Sequence, residues 1–258
     1  MHLNNYAKLR KLAEKIVKEA GNVLLQSRNN VQVVVKKDIQ DILTTADLSS
    51  EKIIIDSILK KFPDHSIISE EAGYIKNKNE FVWIIDPLDG TKEYFRNIPL
   101  WNCSLCLMHE GNAVMSVVYR PQEEVLYCAS LGDGSFRNNV PIHVSNKKSL
   151  TESICFCYIP SYKRERDKYE WAFSKLSEIG KKVYRLRSSS DINTSMCWVA
   201  QGGCEAYLNL SNPEKIHDIA PGLFIAKEAG AFNAINKTPL IVTCNKSIYN
   251  QIDKIIST

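Results

Sequence analysis

The stretch WIIDPLDGTKEYF, residues 83–95, places two carboxylates, a proline, a glycine and a threonine within six positions directly after an apolar run. Asp86 and Asp89 carry like charges, which repel each other, and burial of either one is costly. A chain that leaves a buried strand in this way needs something to neutralise the pair, and a metal ion is the obvious candidate. The rest of the sequence can therefore be searched for further ligands.

The chain has 258 residues, which is enough for one large domain or for two modest ones that share a core. Its 44% hydrophobic and 24% charged residues are ordinary for a soluble globular protein. The longest apolar stretches fall far short of the roughly 18 residues that cross a bilayer. The first residues also lack the basic and apolar regions of a secretory signal. We therefore expect a cytoplasmic protein with no membrane partner.

The net charge of +4 is spread over scattered lysines. It suits an anionic ligand, but it is too small and diffuse to indicate nucleic acid. Most of the eight cysteines lie within apolar runs, and Cys103 and Cys106 are the one pair with C-x-x-C spacing. Because no second pair follows downstream, the pattern favours buried thiols in a reducing compartment over a zinc site.

The first half of the chain indicates two amphipathic helices, three short strands and then an antiparallel meander. The predicted elements are helices at 6–26 and 48–61 and strands at 31–35, 66–69, 81–85, 102–109, 113–119, 124–130 and 140–144. Turn residues at 110–112 and 121–123 separate the strands of the meander.

After about residue 150, strands alternate with helices, which is typical of an α/β architecture. The predicted elements are strands at 153–158, 182–186, 205–210 and 239–243 and helices at 165–179, 191–201, 218–229 and 246–256. We therefore expect an α/β protein with an α+β first half, residues 1–148, and an α/β second half, residues 149–258. A ligand cleft is expected where the two halves meet.

Four acidic clusters stand out from the rest of the chain. They are Asp47 after LTTA, Glu70 and Glu71 after SIIS, Asp86 and Asp89 after FVWII, and Asp218 within KIHDIAPG. Taken singly, each has an ordinary structural explanation as a helix N-cap, a solvated loop or a turn. Taken together, oxygen ligands from four loops, with no associated histidine cluster, are what a hard cation such as Mg²⁺ prefers.

The segment DPLDGTKEYF resembles the D-P-[IL]-D-G-T signature of the inositol monophosphatase family, which is followed shortly by an aromatic residue. Four more segments resemble motifs of that family in the expected order: DILTTAD (41–47), SEEAG (69–73), LGDGSFRNN (131–139) and HDIAPGLFIAKEAGA (217–231). The resemblance covers nearly the whole chain. It implies a layered αβαβα sandwich of the inositol monophosphatase and fructose-1,6-bisphosphatase type, and it implies a homodimer.

The resemblance also implies a role for each matching position. The implied ligands of two or three Mg²⁺ ions are the carboxylates of Glu70, Asp86, Asp89 and Asp218 and the backbone carbonyl of Leu88. Thr91 and Asp47 would orient and deprotonate the attacking water, with Glu71 assisting from behind the ligands. The backbone N–H groups of Gly90 and Thr91 would hold the phosphate, because glycine lets the backbone come close.

These roles fit hydrolysis of a phosphate monoester, a small anionic substrate. Mg²⁺ ions would cancel charge on the carboxylates and on the phosphate, lower the pKa of water and stabilise the leaving alkoxide. The resemblance further implies inhibition by Li⁺. We expect a small polyol or sugar phosphate as the substrate, with inositol 1-phosphate the leading candidate.

Three positions depart from the family pattern where it binds the sugar. His217 replaces a tryptophan, and it either packs in that place or donates a hydrogen bond to the substrate. Asn209 stands in place of a sugar-binding glutamate, within the longer segment LNLSNPEKI (208–216). Asp191, in Ser190–Asp191–Ile192, lies where the family has a Gly-Ser-Ala stretch. Asp191, Asn209 and His217 are therefore predicted substrate contacts, and they leave the choice of substrate open.

Other substrates and a non-catalytic function stay open at this point. GTKEYF resembles the branch that hydrolyses adenosine 3′,5′-bisphosphate, whereas GDGSFRNN is closer to the inositol phosphatase branch. Fructose 1,6-bisphosphate and histidinol phosphate are substrates of other branches. A regulatory or binding protein that keeps the fold without catalysis is the third alternative, and the intact set of carboxylates argues against it.

Overall fold

The computed structural model of the protein describes residues 3–38, 41–77, 79–211, 215–234 and 239–258. The α-helices in these residues are α1 (Leu3–Ser27), α2 (Thr45–Lys61), α3 (Thr91–Phe95), α4 (Arg166–Gly180), α5 (Ile192–Ala200), α6 (Ile216–Glu228) and α7 (Lys246–Ile256). The strands are β1 (Val33–Asp38), β2 (Asp41–Thr44), β3 (Ser66–Ser69), β4 (Gly73–Ile75), β5 (Phe81–Asp89), β6 (Asn102–His109), β7 (Asn112–Arg120), β8 (Val125–Ser130), β9 (Gly134–Arg137), β10 (Val140–Ile142), β11 (Ile154–Tyr158), β12 (Arg185–Ser188), β13 (Ala206–Asn209), β14 (Phe232–Asn233) and β15 (Leu240–Thr243).

Most of these strands belong to one of two sheets. The larger sheet has eight strands in the order β10-β9-β8-β7-β6-β5-β3-β4, and the smaller one has five in the order β12-β11-β13-β15-β14. In the larger sheet β3 and β5 run parallel, and the other neighbours are antiparallel. In the smaller sheet β11 is parallel to β12 and β13, whereas β15 is antiparallel to β13 and β14.

Helices and sheets alternate in five layers. Helices α1 and α2 pack on one face of the larger sheet, and α6 packs on its other face beside α5. Helix α5 also contacts β13 and β15, so this pair of helices lies between the two sheets. Helices α4 and α7 pack together and cover the outer face of the smaller sheet. The expected layered α/β sandwich is therefore confirmed.

The amphipathic pattern of the first two helices produces the outer core. On α1 the buried side chains recur every three or four residues, as Ala13, Ile16, Val17, Ala20 and Leu24. On α2 the corresponding positions are Ile54 and Ile58. Full burial of a large aliphatic side chain contributes about 1.5–3 kcal/mol, so this interface fixes both helices on the sheet that carries Asp86.

Several predicted boundaries need correction. The strand predicted at 81–85 continues to Asp89, because the chain stays paired with β6 through a bulge. The strand predicted at 182–186 is instead β12, since Lys182 and Val183 still bond back to Ile179 at the end of α4. The strand predicted at 31–35 begins and ends later, as β1.

The sequence did not predict β2, β4, β9, β14 or α3. Each is only two to five residues long, which is too short for a periodic pattern to show. The longer helices agree with their predictions to within a few residues. Residues 212–214 of the segment predicted to be longer than in the family lie outside the described residues.

The two sheets come from different parts of the chain. The strands of the larger sheet end at residue 142, and those of the smaller sheet begin at residue 154. Helix α6 from the second half nevertheless packs against β5, β6, β7 and β8 of the first half. The division at residue 148 therefore stays a prediction. Among the described residues, no helix is both long and apolar enough to cross a membrane.

Candidate active site

The parallel pair β3 and β5 brings the first two acidic segments together. Ser69, the last residue of β3, is opposite Ile85 of β5. Glu70 therefore leaves β3 beside Asp86, which is almost completely buried. The carboxyl ends of parallel strands meet at the same edge of a sheet, and we call this edge the acidic edge. It carries Glu70, Asp86 and Asp89.

A β-bulge in β5 separates its two aspartates. Asp86 is opposite Ser104 and Asp89 is opposite Asn102, so β5 has one residue more than β6 over this interval. The backbone N–H of Leu88 donates to Asp86 Oδ1 at 3.2 Å inside the bulge. Bulges re-aim side chains at the ends of strands, which is how two aspartates so close in sequence both reach the acidic edge.

The glycine after Asp89 is required by the close approach of another segment. Gly90 has a φ of 88°, in the left-handed region. A Cβ at this position would lie 2.5 Å from the carbonyl oxygen of Leu100. No other residue fits without movement of the backbone. Gly90 therefore lets the chain turn sharply from β5 into α3, which begins at Thr91.

Asp47 combines a structural contact with a contact to Thr91. It belongs to the capping box of α2, in which Asp47 Oδ2 accepts hydrogen bonds from the backbone N–H of Thr44 at 2.9 Å and from the Thr44 hydroxyl. Its other oxygen, Oδ1, accepts from Thr91 Oγ1 at 3.0 Å. Thr91 Oγ1 also lies 3.1 Å from the carbonyl oxygen of Leu88. Thr44 rather than Asp47 is therefore the N-cap of α2, and Asp47 completes the capping box as its third helical residue, while the same carboxylate faces α3.

The N-terminus of α6 brings the last acidic segment to the acidic edge. The backbone N–H of Lys215 donates to Asp218 Oδ2 at 3.1 Å. His217 Nε2 lies 3.5 Å from Asp218 Oδ1 and 3.9 Å from Glu70 Oε1. Lys215 Nζ also lies 3.9 Å from Glu70 Oε1. Asp218 and Glu70 therefore both approach the same nitrogen of His217.

Burial and mutual repulsion strongly perturb these carboxyl groups. Burial is the main cause that raises the pKa of Glu70 to about 8, and the neighbouring charges of Asp218 and Glu71 add to it. Burial also raises the pKa of Asp86, with repulsion from Glu70 and Asp89 next in size. The pKa of Asp89 is raised by burial and then by Asp191.

Two further carboxyl groups and one imidazole of the site are shifted by burial. Burial raises the pKa of Asp218, although His217 partly offsets the shift. It raises the pKa of Asp47, although Thr44 partly offsets that shift. It lowers the pKa of His217. In each case burial disfavours the charged form of the group. The positive charges of the protein near the acidic edge are therefore too few to neutralise its carboxylates.

The donor set fits a hard divalent cation. The side chains Glu70, Asp86, Asp89 and Asp218 offer only oxygen atoms, which are the ligands that Mg²⁺ prefers. Among the described residues, three metal-ligating donor atoms come within 4.8 Å of one another in a single group, Glu80, His109 and Glu110, at the opposite end of β5. Among the described residues of the acidic edge, no three donor atoms are mutually that close.

Sequence reasoning missed a buried glutamate that holds the loop of Glu70. Glu51 Oε1 accepts hydrogen bonds from the backbone N–H groups of Glu71 at 3.2 Å and Ala72 at 3.0 Å, and from the Ser69 hydroxyl. A signal for it existed, because Glu51 shares the helix face of Ile54 and Ile58 by its spacing. A carboxylate on the apolar face of α2 must have buried partners.

Two asparagines that the sequence did not single out hold Asp89. Asn102 Nδ2 donates to Asp89 Oδ2 and to Asp191 Oδ1, both at 2.9 Å. Asn193 Nδ2 lies 3.5 Å from Asp89 Oδ2, and its Oδ1 accepts from the backbone N–H of Gly222 at 2.8 Å. Asp89 is thereby tied to both α5 and α6. Nothing in the sequence pattern marks these two residues.

The three predicted substrate contacts lie in different surroundings. Asp191 is fully buried and caps α5, where it accepts from the backbone N–H of Thr194 at 2.8 Å. Asn209 is buried at the end of β13 and accepts from the backbone N–H of Ser211 at 2.9 Å. His217 is buried between Glu70 and Asp218. Their roles as substrate contacts stay predictions.

The five-layer fold and its acidic edge define the class of protein: a layered α/β protein with a cluster of buried carboxylates between its layers. The chain matches the inositol monophosphatase family over residues 5–252, so it belongs to that family. This confirms the resemblance found in the motifs. Membership of this family supports the activity of a phosphatase.

This chain is similar to individual relatives over most of the length of both chains. A Nus factor SuhB of Pasteurella multocida is 31% identical over 223 residues, which cover 85% of this chain and 82% of the relative. A fructose-1,6-bisphosphatase/inositol-1-monophosphatase of Aquifex aeolicus is 29% identical over 256 residues, covering 97% and 96%. The solved structure of an inositol monophosphatase from Anabaena (Nostoc) sp. PCC 7120 has a TM-score of 0.85 and 27% identity, covering 98% of this chain and 96% of that one.

Proposed function

We propose that the protein is a Mg²⁺-dependent phosphomonoesterase acting on a small polyol or sugar phosphate, with inositol 1-phosphate the leading candidate. One observation carries the proposal. Buried and half-buried carboxylates at the ends of β3 and β5 and at the start of α6 are gathered where desolvation and mutual repulsion raise their pKa values. Such a group is stable in its charged form when cations lie among its members.

The residues that would hold two or three Mg²⁺ ions are Glu70, Asp86, Asp89, Asp218 and, through its carbonyl oxygen, Leu88. When bound, Mg²⁺ neutralises charge on the phosphate, lowers the pKa of water and stabilises the leaving alkoxide. Residues that are not themselves ligands hold these carboxylates in place. Glu51 holds the loop of Glu70, and Asn102 holds the carboxylate of Asp89.

Thr91 and Asp47 are proposed to activate the attacking water. Asp47 Oδ1, 3.0 Å from Thr91 Oγ1, can accept the hydroxyl proton of Thr91. The oxygen of Thr91 is then free to accept a proton from water and to point that water at the phosphorus. Thr44 keeps Asp47 in this orientation, because it occupies the second carboxylate oxygen. Proton transfer by a positioned pair of this kind contributes about 10²–10⁴-fold to the rate.

Binding of the phosphate is assigned to the turn between β5 and α3. The left-handed turn at Gly90 would let the chain present the backbone N–H groups of Gly90 and Thr91 to an oxyanion. Lys215, whose side chain is 68% exposed near Glu70, adds a positive charge on the approach to the site. The exposed Glu71 is proposed to assist behind Glu70.

The substrate is proposed from the relatives and from the sequence. The Anabaena structure is named an inositol monophosphatase, and the Aquifex relative is named for fructose 1,6-bisphosphate as well. GTKEYF keeps adenosine 3′,5′-bisphosphate as the second candidate. A relative named as a Nus factor keeps the alternative of a regulatory protein without catalysis. Each candidate predicts a different ester as the substrate with the highest kcat/KM, and the regulatory alternative predicts no turnover.

The deciding experiment is phosphate release from a panel of esters, with and without Mg²⁺ and Li⁺. The panel contains inositol 1-phosphate, fructose 1,6-bisphosphate, adenosine 3′,5′-bisphosphate and histidinol phosphate. We expect turnover that requires Mg²⁺, is inhibited by Li⁺ and has its highest kcat/KM on inositol 1-phosphate. Higher kcat/KM on the nucleotide would support the second candidate, and no turnover on any ester would support the regulatory one.

A substitution tests the metal assignment separately from the substrate. Asp89→Asn removes one charged ligand and should reduce turnover by more than about 100-fold, since even outer contacts of a metal site are worth 10–100-fold. Asp56→Asn, on the exposed face of α2, is the matched control and should leave turnover unchanged. Near-normal activity of Asp89→Asn in correctly folded protein would rule out the assignment.

The cytoplasmic location and the homodimer also stay proposals. The dimer rests on the family resemblance and is tested by sedimentation of the Mg²⁺-loaded protein at micromolar concentration. A monomer under those conditions would exclude it.

A further inference from the structure

A second group of metal-ligating side chains lies at the opposite end of β5 and β6 from the acidic edge. It comprises Glu80, His109 and Glu110, whose donor atoms all lie within 4.8 Å of one another. Glu80 directly precedes β5, and His109 ends β6. The backbone N–H of Glu110 donates to the carbonyl oxygen of Glu80 at 3.3 Å. The sheet therefore holds the three residues side by side.

The imidazole of His109 is held on its face and at one nitrogen. Its ring stacks on Phe81, with centroids 4.1 Å apart and an interplanar angle of 5°. Its Nδ1 lies 3.0 Å from the hydroxyl oxygen of Tyr6 on α1, a side chain only 5% exposed. Metal-binding histidines usually bond their second ring nitrogen to such a partner, which fixes the ring and its tautomer. Nε2 is the nitrogen left for a cation.

The two carboxylates are available to a ligand. Glu80 and Glu110 are both exposed, and in the part of the chain that the structure describes neither forms an ion pair with lysine or arginine. Like-charged side chains held this close in the sheet repel each other unless a cation lies between them. The imidazole of His109, held in place beside them, adds a nitrogen donor to the two carboxylates.

We propose that Glu80, His109 and Glu110 form a second metal site, which binds a divalent transition-metal ion of the Zn²⁺ or Mn²⁺ type. One imidazole nitrogen with two carboxylates is a donor set for such ions, whereas the acidic edge offers oxygen only. Six residues of strand separate Glu80 from Asp86, or roughly 20 Å at about 3.3 Å per residue. The site is therefore distinct from the proposed phosphatase centre and does not depend on it.

The contacts of His109 indicate a structural role for the ion. With the metal on Nε2, Nδ1 carries the proton and donates it to the hydroxyl oxygen of Tyr6. The ion would then join the ends of β5 and β6 directly and α1 indirectly. We expect bound Zn²⁺ to raise the Tm of the protein and to leave Mg²⁺-dependent phosphate release unchanged.

Zn²⁺ binding to the full chain in saturating Mg²⁺ tests the site, because Mg²⁺ then occupies the acidic edge. Equilibrium dialysis should show one more bound Zn²⁺ in the native protein than in His109→Gln. Glu80→Gln and Glu110→Gln, on exposed side chains, should weaken that binding at least tenfold without affecting folding. Tyr6→Phe should weaken it about 10–100-fold. His143→Gln, at an exposed histidine outside the group, is the matched control and should bind Zn²⁺ as the native protein does.

Three results would contradict the proposal. Equal Zn²⁺ binding by the native protein, His109→Gln and Glu80→Gln would mean that the ion binds elsewhere. No Zn²⁺ binding by the native protein at micromolar concentration would mean that the three side chains are simply solvated. Loss of phosphate release in Glu80→Gln would contradict the separation of this site from the acidic edge.

Discussion

Thr91 and Asp47 show how one residue serves folding and chemistry together. Asp47 uses Oδ2 to cap α2 and Oδ1 to receive Thr91. A capping aspartate is common at a helix start, so its sequence pattern alone says little about catalysis. Its second oxygen becomes informative because β5 delivers Thr91 to it across 44 residues of sequence.

Replacement of the Thr91 hydroxyl separates these two uses. Thr91→Val keeps the shape of the side chain but removes the proton donor to Asp47 and the oxygen that would orient water. We expect kcat to fall about 10²–10⁴-fold with little change in stability, as measured by phosphate release and urea unfolding. Thr91→Ser keeps the hydroxyl and should retain most of the activity. Equal loss in both variants would show that the hydroxyl is not what matters.

Asn102 is the residue whose loss should be most damaging away from the reacting atoms. Its amide nitrogen bridges the carboxylates of half-buried Asp89 and fully buried Asp191. Asn102→Ala leaves both without this donor, and an unsatisfied buried polar group costs about 1–3 kcal/mol. We expect that decrease in the free energy of unfolding by urea. Asn250→Ala, at an exposed position of α7, should change it by less than about 0.5 kcal/mol; a similar effect of both would refute the bridge.

At the scale of elements, α2 positions the metal-binding loop after β3. Three donors at the end of β3 and in that loop converge on one oxygen of Glu51, which attaches the loop to the helix. This contact connects the packing of α2 on the sheet to the orientation of Glu70. Glu51 therefore belongs to the function of the acidic edge although it is not a ligand.

Removal of that contact should weaken metal binding more than it weakens folding. Glu51→Ala frees the loop, and we expect the Mg²⁺ concentration for half-maximal activity to rise about 10–100-fold, measured by titration of phosphate release. Asp56→Ala, on the exposed face of the same helix, is the control. The idea fails if Glu51→Ala changes kcat alone and leaves the Mg²⁺ dependence as it was.

The elements also show what the sequence could and could not predict. Long amphipathic segments such as α1 and α2 were predicted because their period is repeated over several turns. Three of the four acidic segments were predicted to converge because they occur where an apolar strand ends or a helix begins. The bulge that keeps Asp86 and Asp89 in one strand was not, since it depends on pairing with β6. Neither was Asn102, whose partners are distant in sequence and meet only in the folded chain.

At the scale of the whole molecule, the acidic edge is a junction of layers. Glu70 and Asp86 come from the larger sheet, Asp47 from α2 on one face, and Asp218 from α6 on the other. Packing of the layers therefore forces these carboxyl groups together, and burial disfavours their charged forms. The stability of the fold and the charge of the site are linked for this reason.

The linkage gives a definite sign to the pH dependence of the metal-free protein. Glu70 has a pKa of about 8 in the folded state against an ordinary value of 4.5. Between these values the folded state holds a proton that the unfolded state has released, so stability falls as pH rises. The pKa values of His217 and His65 are lowered from 6.5 by burial, which has the opposite effect at lower pH. The window from about pH 6.5 to 8 therefore isolates the carboxyl groups.

Thermal unfolding in EDTA should show this directly. One retained proton changes stability by up to about 1.4 kcal/mol per pH unit, which corresponds to about 2–4 °C in Tm for a chain of this size. We expect Tm in EDTA to fall by that amount per unit from pH 6.5 to 8. Metal ligands must be deprotonated, so saturating Mg²⁺ should remove the slope and stabilise the protein most at pH 8. The prediction is wrong if the metal-free protein gains stability from pH 6.5 to 8. It is also wrong if Mg²⁺ stabilises the protein equally at both pH values, because the pKa of Glu70 would then not be raised.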